Sequence, residues 1–462
     1  MALTSIRPTL LAAAVAVAFT SLDVQATVDL VAIGTISGTY QDLAHQTATE
    51  LENGVAGNRL GGMGSALAHA GGTSFLALPD RGPNAVEYNS ALDNTTSYIP
   101  RFHTLDLSLA PNPAYDVNDP NSLRLILTPT LRNTTLLHAG NARLVYGTNG
   151  EPTLNTRRIH YFTGRSDAFD PAKNSGNSAD GRFDPEGIRV SRDGSSVFVS
   201  DEYGPYVYQF NRKSGQRIKS FALPGELLVT SLSAQGAVEI SGNTSGRVAN
   251  KGMEGLAITP DGKTLIGFVQ SALLQDGGDG ARVNRILAID IASGRTRQFA
   301  YDNYLADTEK TYGSSEILAI NSHEFLVLER DGKGLGDGSS AKVKRLYKID
   351  LAGATDISGL SGESNLLPLA VGKELFLDVK SALGAKGIAA DRVPAKLEGA
   401  AFGPDVTIDG KTLHTLYIAN DNDFDVSSDN PNQIFVFSFG DEDLPGYVPQ
   451  TIQERDELEC GS

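Results

Sequence analysis

The sequence predicts an all-β fold, and within that class a single β-propeller of six blades with long inter-strand loops. Short apolar runs alternate with Asp-Gly, Asn-Gly and Ser-Gly pairs, which is the pattern of strands joined by hairpins. A segment built around a Glu-Gly pair also recurs along the chain, and such repeats are typical of propellers. No segment shows the sustained 3.6-residue apolar period of a helix.

The chain opens with a segment that has the pattern of an export signal. Met1–Ala26 contains a positive charge at Arg7, an apolar run over Leu10–Phe19 and a small-residue cleavage site at Val24-Gln-Ala26. A helix that spans a bilayer needs about 20 apolar residues, and this run is too short. We therefore expect residues 1–26 to be a cleaved signal peptide and the mature protein to be periplasmic or secreted.

The composition excludes some classes of partner. The 462 residues include 39 Lys+Arg and 55 Asp+Glu, a net charge of -16. This excess of negative charge argues against binding to nucleic acid or to an anionic membrane surface. Cys460 is the single cysteine, so an intramolecular disulfide cannot form. We expect a monomer with one propeller domain over residues 27–445 and a C-terminal tail over residues 446–462.

The repeat sets the expected number of blades. Three copies are very similar in sequence, namely Asp184–Ile188, Gly252–Leu256 and Lys396–Ala400. Weaker copies begin at Glu316 and Gly64. The Glu residues of the four later copies are 68, 62 and 82 positions apart. A blade usually takes about 40–50 residues, so each copy predicts one blade with a long loop. The length of the chain then favours six blades, with five or seven also compatible.

Hairpin geometry places the carboxylates of the repeat on one face. The Glu-Gly pair opens a strand, the Asp-Gly turn reverses the chain, and the returning strand ends beside the start of the first. We expect the residues at both places to surround one mouth of the propeller. They are Glu186, Glu254, Glu316 and Glu398 at the strand starts, with Asp80, Asp201, Glu202, Glu329 and Asp421 at the returning ends.

So many carboxylates at one rim would repel one another and raise each other's pKa unless cations bind. Hard oxygen ligands favour Ca²⁺, with Mg²⁺ as the second candidate, over zinc. The predicted metal ligands are Glu186, Asp201, Glu202, Glu254, Glu398 and Asp421. Arg81 and Arg330 stand among these acids and are suited to bind a phosphate or carboxylate group. The structural alternative is that each repeated Glu only binds backbone amides and holds blades together.

Six motifs carry a resemblance to a known family. They are Leu78–Asn84, Phe183–Gly187 with Ser200–Pro205, Asn250–Leu256, Leu328–Asp331, Lys396–Gly399 and Ile418–Phe424. These segments resemble the exported bacterial phytase-like family, described as having an esterase-like activity of phytase. The resemblance covers nearly the whole mature chain, from about residue 55 to 440. It implies a β-propeller and suggests Ca²⁺-assisted hydrolysis of phosphoesters.

On this basis we expect an ester hydrolase that acts on a small phosphate ester or another anionic ester. The metal would lower the pKa of a bound water, which attacks phosphorus. Arg81 and Arg330 would bind the non-bridging oxygens, and Asp80 or Glu329 would orient the water or accept its proton. Arg101, Lys251 and His103 are weaker candidates for contacts to phosphate.

Two other functions stay open at this point. The first is a calcium-dependent lactonase or carboxylesterase in which Glu186, Asn420 and Asp421 hold one Ca²⁺ on the propeller axis. The second is a non-catalytic propeller that calcium stabilises and that binds an envelope ligand or partner. A substrate panel with lactones and phosphoesters would separate the two enzymes. Stabilisation by calcium without turnover would indicate the binding protein.

Overall fold

The computed structural model describes residues 28–86, 95–148, 150–425, 427 and 429–453. The predicted signal peptide and Cys460 lie outside the described residues. Within the described part, the chain forms 22 strands and a few short helices. No helix there is long and apolar enough to cross a membrane.

Five four-stranded antiparallel sheets make up most of the described chain. The first strand is β1 (Asp29–Ile36). Blade 1 contains β2 (Ala66–His69), β3 (Ser74–Leu78), β4 (Arg101–Pro111) and β5 (Leu125–Leu136). Blade 2 contains β6 (Pro185–Val190), β7 (Ser196–Asp201), β8 (Tyr206–Asn211) and β9 (Arg217–Phe221). Blade 3 contains β10 (Met253–Ile258), β11 (Thr264–Val269), β12 (Val283–Asp290) and β13 (Thr296–Asp302).

The remaining elements follow in chain order. A small hairpin consists of β14 (Tyr304–Leu305) and β15 (Lys310–Thr311). Blade 4 contains β16 (Gly313–Ala319), β17 (Glu324–Arg330), β18 (Lys344–Asp350) and β19 (Lys373–Asp378). Blade 5 contains β20 (Lys396–Ile408), β21 (Lys411–Asp421), β22 (Asn432–Phe439) and the N-terminal β1. The α-helices are α1 (Gly236–Gly242), α2 (Glu363–Leu366) and α3 (Val379–Ala385), and 3-10 turns span His45–Thr47, Gly225–Leu227, Leu274–Asp276 and Leu367–Leu369.

The innermost strands of the five blades form a closed ring. Each of β2, β6, β10, β16 and β20 contacts the innermost strands of both neighbouring blades. The all-β propeller is therefore confirmed, but it has five blades rather than the six that the sequence favoured. Long connections account for the difference, because residues 137–184 between β5 and β6 and residues 351–372 between β18 and β19 raise the chain length per blade.

Blade 5 joins the two ends of the chain. The N-terminal β1 pairs antiparallel with β22, from Asp29 opposite Ser438 to Ile36 opposite Asn432. This strand completes a sheet whose other three strands come from the C-terminal part of the sequence. The ring is thus closed by backbone hydrogen bonds between the first and the last strands.

Apolar side chains between blades form the core. One cluster joins Leu76 and Phe102 of blade 1 to Val199 of blade 2, and another joins Phe198 of blade 2 to Leu287 of blade 3. Burying one such side chain contributes about 1.5–3 kcal/mol. Strands such as β7 are buried at every position, because both of their faces are covered by neighbouring blades.

The predicted Asp-Gly hairpins are present at the face opposite the mouth. Gly194, Gly262 and Gly410 have φ angles of 68°, 70° and 77°, a left-handed conformation that a Cβ would strain. Asp193 supports its turn by accepting a hydrogen bond from the backbone N–H of Ser195 at 3.2 Å. These aspartates are hairpin residues, as the sequence indicated.

Residues 444–453, here called the C-terminal strap, cross this same face. The ring of Tyr447 lies 4.5 Å from the ring of Phe402 in blade 5. The backbone N–H of Val448 donates to the carbonyl of Ile320 at 2.8 Å, and that of Gln453 donates to the carbonyl of Arg192 at 2.8 Å. The part of the expected tail that the structure describes therefore packs against blades 5, 4 and 2.

Candidate functional site

The register of the inner strands defines two positions per blade that face the mouth. In blades 2 to 5 the innermost strand carries one extra residue opposite its partner, a β-bulge. The bulge residues are Glu186, Glu254, Ser315 and Glu398. The returning strands of blades 4 and 5 end at Arg330 and Asp421, those of blades 2 and 3 are directly followed by Glu202 and Gln270, and Asp80 holds the same place in blade 1. A bulge redirects a side chain, and these residues together are called the mouth.

The glycine after each repeated Glu allows the inner strands to approach one another. A Cβ at Gly187 would lie 2.7 Å from Cβ of Leu256, and a Cβ at Gly399 would lie 2.7 Å from the backbone C of Ala66. Such contacts are too short for any side chain, so only glycine fits beside the next blade. The Glu-Gly repeat thus provides a carboxylate for the mouth and a close contact for the ring.

Three buried carboxylates converge where blades 1 and 2 meet. Asp80 follows β3, Asp184 precedes β6, and Glu186 is the bulge residue of β6. Each offers a carboxylate oxygen, and these oxygens all lie within 4.8 Å of one another. The three side chains form the carboxylate triad, whose spacing and hard oxygen donors fit a Ca²⁺ or Mg²⁺ ion.

Arg81 is the cation in contact with the carboxylate triad. Its backbone N–H donates to Oδ1 of Asp184 at 3.0 Å and its Nη1 donates to Oδ2 of Asp184 at 3.0 Å. The same Nη1 lies 4.0 Å from Oδ2 of Asp80. Arg81 therefore fixes Asp184 and balances part of the charge. Since it is already engaged with two carboxylates, Arg81 is better placed to orient the triad than to bind a substrate.

The electrostatics of the triad favour a cation. Burial raises the pKa of Asp80 well above its ordinary value, and the charge of Asp421 raises it further, while Arg81 lowers it. Burial also raises the pKa of Glu186, and the charges of Glu254 and Asp184 add to this effect. Carboxylates in this state hold protons unless a positive charge replaces them. A divalent cation would supply that positive charge, so the three carboxylates of the triad are chemically suited to bind one.

Adjacent acids in blade 2 have different roles. Asp201 accepts backbone hydrogen bonds from Asp184 and Tyr203 on Oδ1, at 3.0 and 3.1 Å, and from Gly204 on Oδ2, at 3.0 Å. These backbone hydrogen bonds occupy both carboxylate oxygens of Asp201, which was predicted to be a metal ligand. Glu202 faces the mouth instead, and burial together with the charge of Asp184 raises its pKa to about 8.

The contacts of Glu329 do not support its predicted role in orienting water. Glu329 accepts hydrogen bonds from Oη of Tyr301 and Nζ of Lys373, both at 2.5 Å, and these partners belong to blades 3 and 4. Burial raises its pKa to about 7. Successive residues of a strand face opposite sides, so Arg330 reaches the mouth and Glu329 lies between blades.

The other three predicted ligands have protein partners of their own. Glu254 accepts a hydrogen bond from Nε2 of Gln270 at 2.6 Å. Glu398 pairs with Arg330, and Asp421 pairs with Nζ of Lys396 at 3.1 Å. Their electrostatic interactions still link Glu254 to both Glu202 and Glu398 around the mouth. They belong to the same site. Among the described residues, however, it is the triad whose carboxylate oxygens lie close enough together to hold one metal ion.

Glu316 is not a mouth residue, contrary to the expectation. In blade 4 the bulge residue is Ser315, and Glu316 holds the place that glycine has in blades 2, 3 and 5. Its carboxylate pairs with Nη2 of Arg189 at 2.9 Å. It also lies within hydrogen-bond distance of the backbone N–H groups of Leu256 and Ala400, at 3.3 and 3.5 Å. Arg189 donates to the carbonyls of Leu67 and Ile317 at 2.7 and 3.1 Å. This ion pair on the axis therefore bonds to innermost strands of all five blades.

Two of the weaker phosphate candidates are buried elsewhere. Arg101 pairs with Asp42 at 2.7 Å, and both side chains are completely buried. Burial lowers the pKa of His103 to about 4, so it is neutral near pH 7. The expectation that Arg101 and His103 contact phosphate is wrong for that reason. Lys251 differs from them, because it lines a cleft of about 370 Å³ together with Arg330.

The ligand set of the lactonase alternative is not assembled. Oδ1 of Asn420 accepts a hydrogen bond from the backbone N–H of Gln433 at 2.5 Å, and its Nδ2 donates to the carbonyl of Pro431 at 3.3 Å. Asn420 occupies the strand position equivalent to Asp201 and Glu329, which lies next to the mouth residue. Its amide therefore holds the loop of blade 5.

Sequence reasoning assigned no role to Asp184. Asp184 belongs to the Phe183–Gly187 motif. Its place two residues before Glu186 is the sequence signal that could have identified it as a second carboxylate of the site. In the structure Asp184 is completely buried and touches Arg81 through both carboxylate oxygens. Its partner lies 103 positions away in the chain, and the packing of blade 2 against blade 1 brings the two residues together.

Known proteins were compared with this chain. An uncharacterized secreted protein of Arthroderma benhamiae is 32% identical over 324 residues, a match that covers 60% of this chain and 60% of that protein. The chain thus spans well under two thirds of that relative's length. The periplasmic gluconolactonase of Pseudomonas aeruginosa is 12% identical, with 82% and 85% of the two chains covered and a TM-score of 0.30.

A luciferin-regenerating enzyme is 9% identical, with 86% and 97% of the two chains covered and a TM-score of 0.34. Likenesses at these TM-scores say nothing about activity. The phytase-like family, described as "Esterase-like activity of phytase", matches residues 58–424, which include the carboxylate triad, blades 1 to 4 and two strands of blade 5. The chain belongs to the phytase-like family.

Proposed function

We propose that the protein is an exported, calcium-dependent hydrolase of small phosphoesters. The observation that carries the proposal is the carboxylate triad of Asp80, Asp184 and Glu186, with oxygens within 4.8 Å of one another at the mouth. Membership of a family described by an esterase-like activity supports the reaction class. Mg²⁺ is the alternative cation.

A divalent cation bound there would neutralise the charge of a phosphate ester and lower the pKa of a bound water. The chain's own residues would prepare this site. Arg81 holds Asp184 in place through two hydrogen bonds, which keeps its carboxylate oriented toward Asp80 and Glu186. Glu202, with a pKa raised to about 8, lies beside Asp184 and is suited to accept or return a proton near neutral pH.

On the far side of the mouth, Arg330 would bind the phosphate oxygens of the substrate. Its Nε donates to Oγ of Ser315 at 2.8 Å, which orients the guanidinium, and its side chain is 12% exposed. A preoriented and largely desolvated guanidinium stabilises the growing charge of a phosphoryl transition state. This assignment keeps the predicted role of Arg330 and gives Arg81 a positioning role.

Export is part of the proposal. The sequence of residues 1–26 has the features of a signal peptide, and the Arthroderma relative carries the description of a secreted protein. Oxygen-ligand calcium sites of modest affinity suit compartments outside the cytoplasm, where the ion is abundant.

The test is hydrolysis of a chromogenic phosphomonoester and a chromogenic phosphodiester by the purified protein. We expect activity that EDTA removes and Ca²⁺ restores. Glu186→Gln should lower kcat/KM by about a hundredfold or more, since it removes one charged ligand of the triad. Asp193→Asn, in a hairpin turn at the opposite face, is the matched control and should retain the wild-type rate.

Three results would reject the proposal or part of it. Activity unchanged in EDTA would remove the cation from the mechanism. Turnover of lactones without turnover of either phosphoester would replace the substrate class. Stabilisation by Ca²⁺ without turnover of any ester would leave the triad with a structural or ligand-binding role.

A further inference from the structure

Blade 4 differs at the mouth from the three blades that share its bulge. Each of blades 2 to 5 presents a bulge residue and a residue at or directly after the end of the returning strand. In blades 2, 3 and 5 these pairs are Glu186 with Glu202, Glu254 with Gln270, and Glu398 with Asp421. In blade 4 the pair is Ser315 with Arg330. Blade 4 therefore puts a hydroxyl where these three blades have a carboxylate, and a cation where the others have acids or an amide.

The two mouth residues of blade 4, Ser315 and Arg330, contact each other. Nε of Arg330 donates to Oγ of Ser315 at 2.8 Å, and the guanidinium also pairs with Glu398 of blade 5. A Glu at position 315 would lie beside the same guanidinium and neutralise it from a second side. With serine at this position, Ser315 and Arg330 both line one cleft.

This cleft has the chemistry of an anion site. Its volume is about 370 Å³, and its other polar lining residues include Lys251, Gln270, Asn303 and Tyr312. Pockets for small molecules occupy about 300–1,000 Å³, so the cleft suits a small ligand rather than a polymer. Residues of blades 3 and 4 and of the connections beside them line the cleft, whereas the triad lies where blades 1 and 2 meet.

The acids that line the cleft do not prevent anion binding. Asp331 pairs with the buried Lys344 at 2.8 Å. Asp279 pairs with Lys251 at 2.7 Å, and its side chain is 58% exposed on a glycine-rich loop. An exposed pair of this kind contributes little to stability, so a ligand anion can take the place of Asp279 on Lys251.

We propose that the cleft is the anion-recognition subsite of the enzyme, that Arg330 and Lys251 bind the phosphate of a small organic phosphate there, and that Ser315 determines this specificity. The inference rests on the proposed function for its place in a reaction, since it names where the substrate's phosphate is recognised. Anion binding itself needs only the protein. The subsite can therefore be tested without a metal and without turnover.

The experiment is calorimetric titration of the purified protein with inorganic phosphate in EDTA, with acetate and citrate as separate carboxylate probes. We expect phosphate to bind the wild type. Ser315→Glu should weaken that affinity by about tenfold or more, because it competes for the charge-assisted hydrogen bonds of Arg330. Ser315→Ala adds no charge but removes the hydrogen bond that orients Arg330, so it should weaken binding less than Ser315→Glu does, and Lys251→Gln should weaken binding about threefold.

Thr412→Glu is the matched control for the added charge, since Thr412 is exposed at the end of the β20–β21 hairpin on the opposite face. It should bind phosphate like the wild type, and thermal melts should show that each variant is folded. The proposal is overturned if Ser315→Glu binds phosphate as tightly as Thr412→Glu. It is also overturned if phosphate fails to bind, whether or not acetate or citrate does.

Hydrolysis assays with Ca²⁺ on the same preparations separate this inference from the function on which it rests. Phosphate binding that depends on position 315, without turnover of any phosphoester, would reject the hydrolase and confirm the subsite. Calcium-dependent turnover whose KM is the same in wild type and Ser315→Glu would confirm the hydrolase and reject the subsite.

Discussion

The two ends of the propeller axis have opposite chemistry although the same five inner strands form both. At the mouth, the bulges of blades 2 and 3 present the buried carboxylates of Glu186 and Glu254, whose pKa values burial raises. At the other end, the C-terminal strap covers a smaller cavity of about 250 Å³, whose lining includes apolar residues such as Ile258, Leu318 and Phe402. The Arg189–Glu316 pair lies on the axis between them. Binding and stability are therefore located at different ends, and variants can change one without the other.

The largest expected effect comes from the ion pair between the two ends. Arg189→Met should lower the free energy of unfolding by about 3–5 kcal/mol, because it leaves a buried carboxylate without its cation. Denaturant-induced unfolding measures this loss. The double variant Arg189→Met with Glu316→Met should recover part of it. A loss of under about 1 kcal/mol in the single variant would show that the pair does not hold the ring together.

The mouth should make the stability of the protein depend on pH when no divalent cation is present. The pKa of Glu202 is about 8 in the folded chain, against an ordinary value of 4.5. Between these values the folded state keeps a proton that the unfolded state has released, so the free energy of unfolding falls by a few kcal/mol as pH rises. Above about pH 8 both states are ionised and the decline ends.

Melting curves in EDTA between about pH 5 and pH 8 would measure this decline. The variant Glu202→Gln cannot ionise and should flatten the curve. Asp201, whose pKa burial raises to about 7, contributes with the same sign. A stability that rises over this range would contradict the description of the mouth as a cluster of proton-holding acids.

Calcium should stabilise the folded protein by binding at the mouth and not at the strap end. A cation present at about 100 times its Kd stabilises the folded state by about 2.7 kcal/mol. We expect this gain in the wild type and its loss in Glu186→Gln, followed as the shift of Tm on adding Ca²⁺. Asp193→Asn, at the strap end, should keep the full gain. An equal gain in wild type and Glu186→Gln would place the cation elsewhere.

The smallest effect concerns the strap. Tyr447→Ala removes a half-buried ring from its contacts with Phe402 and His414, and we expect the free energy of unfolding to fall by about 1–2 kcal/mol. Val448→Ala, in the same segment, changes a side chain that is 48% exposed and should have an effect within about 0.5 kcal/mol. The stabilisation by Ca²⁺ should be unchanged in both variants. A loss of that stabilisation would mean that the two ends are coupled.

Local pattern was sufficient to predict the hairpins and most of the mouth. The structure of both patterns is determined by only a few residues. The Asp193-Gly194 pair forms a hairpin turn. The Glu-Gly pairs at Glu186, Glu254 and Glu398 form a bulge next to a close contact between inner strands. The returning ends followed from antiparallel geometry. The number of blades did not, because loop length varies independently of blade structure.

The wrong site predictions are at positions where a shift of one residue along a strand determines whether a side chain faces the mouth. Asp201 and Glu202 are neighbours, as are Glu329 and Arg330, and strand alternation sends one of each pair to the mouth and the other between blades. The copy in blade 4 was aligned one residue out, at Glu316 rather than Ser315. The available signal was that Ile317, not glycine, follows Glu316. Asp184 could not be assigned from local pattern, because its contact with Arg81 depends on the packing of blade 2 against blade 1.

The pairing of β1 with β22 also bears on the order in which the molecule can assemble. The strand that completes blade 5 is the first to leave the ribosome, and its partner Asn432–Phe439 is close to the last. The earlier blades can form their own sheets as they emerge, but the edge of β1 stays unpaired until nearly the whole chain is present. Until then the triad lies at the rim of an open ring. The three carboxylates of the triad come from blades 1 and 2, which follow each other in the chain, so they can meet before the ring closes, whereas the sheet of blade 5 cannot be completed until β22 has been made.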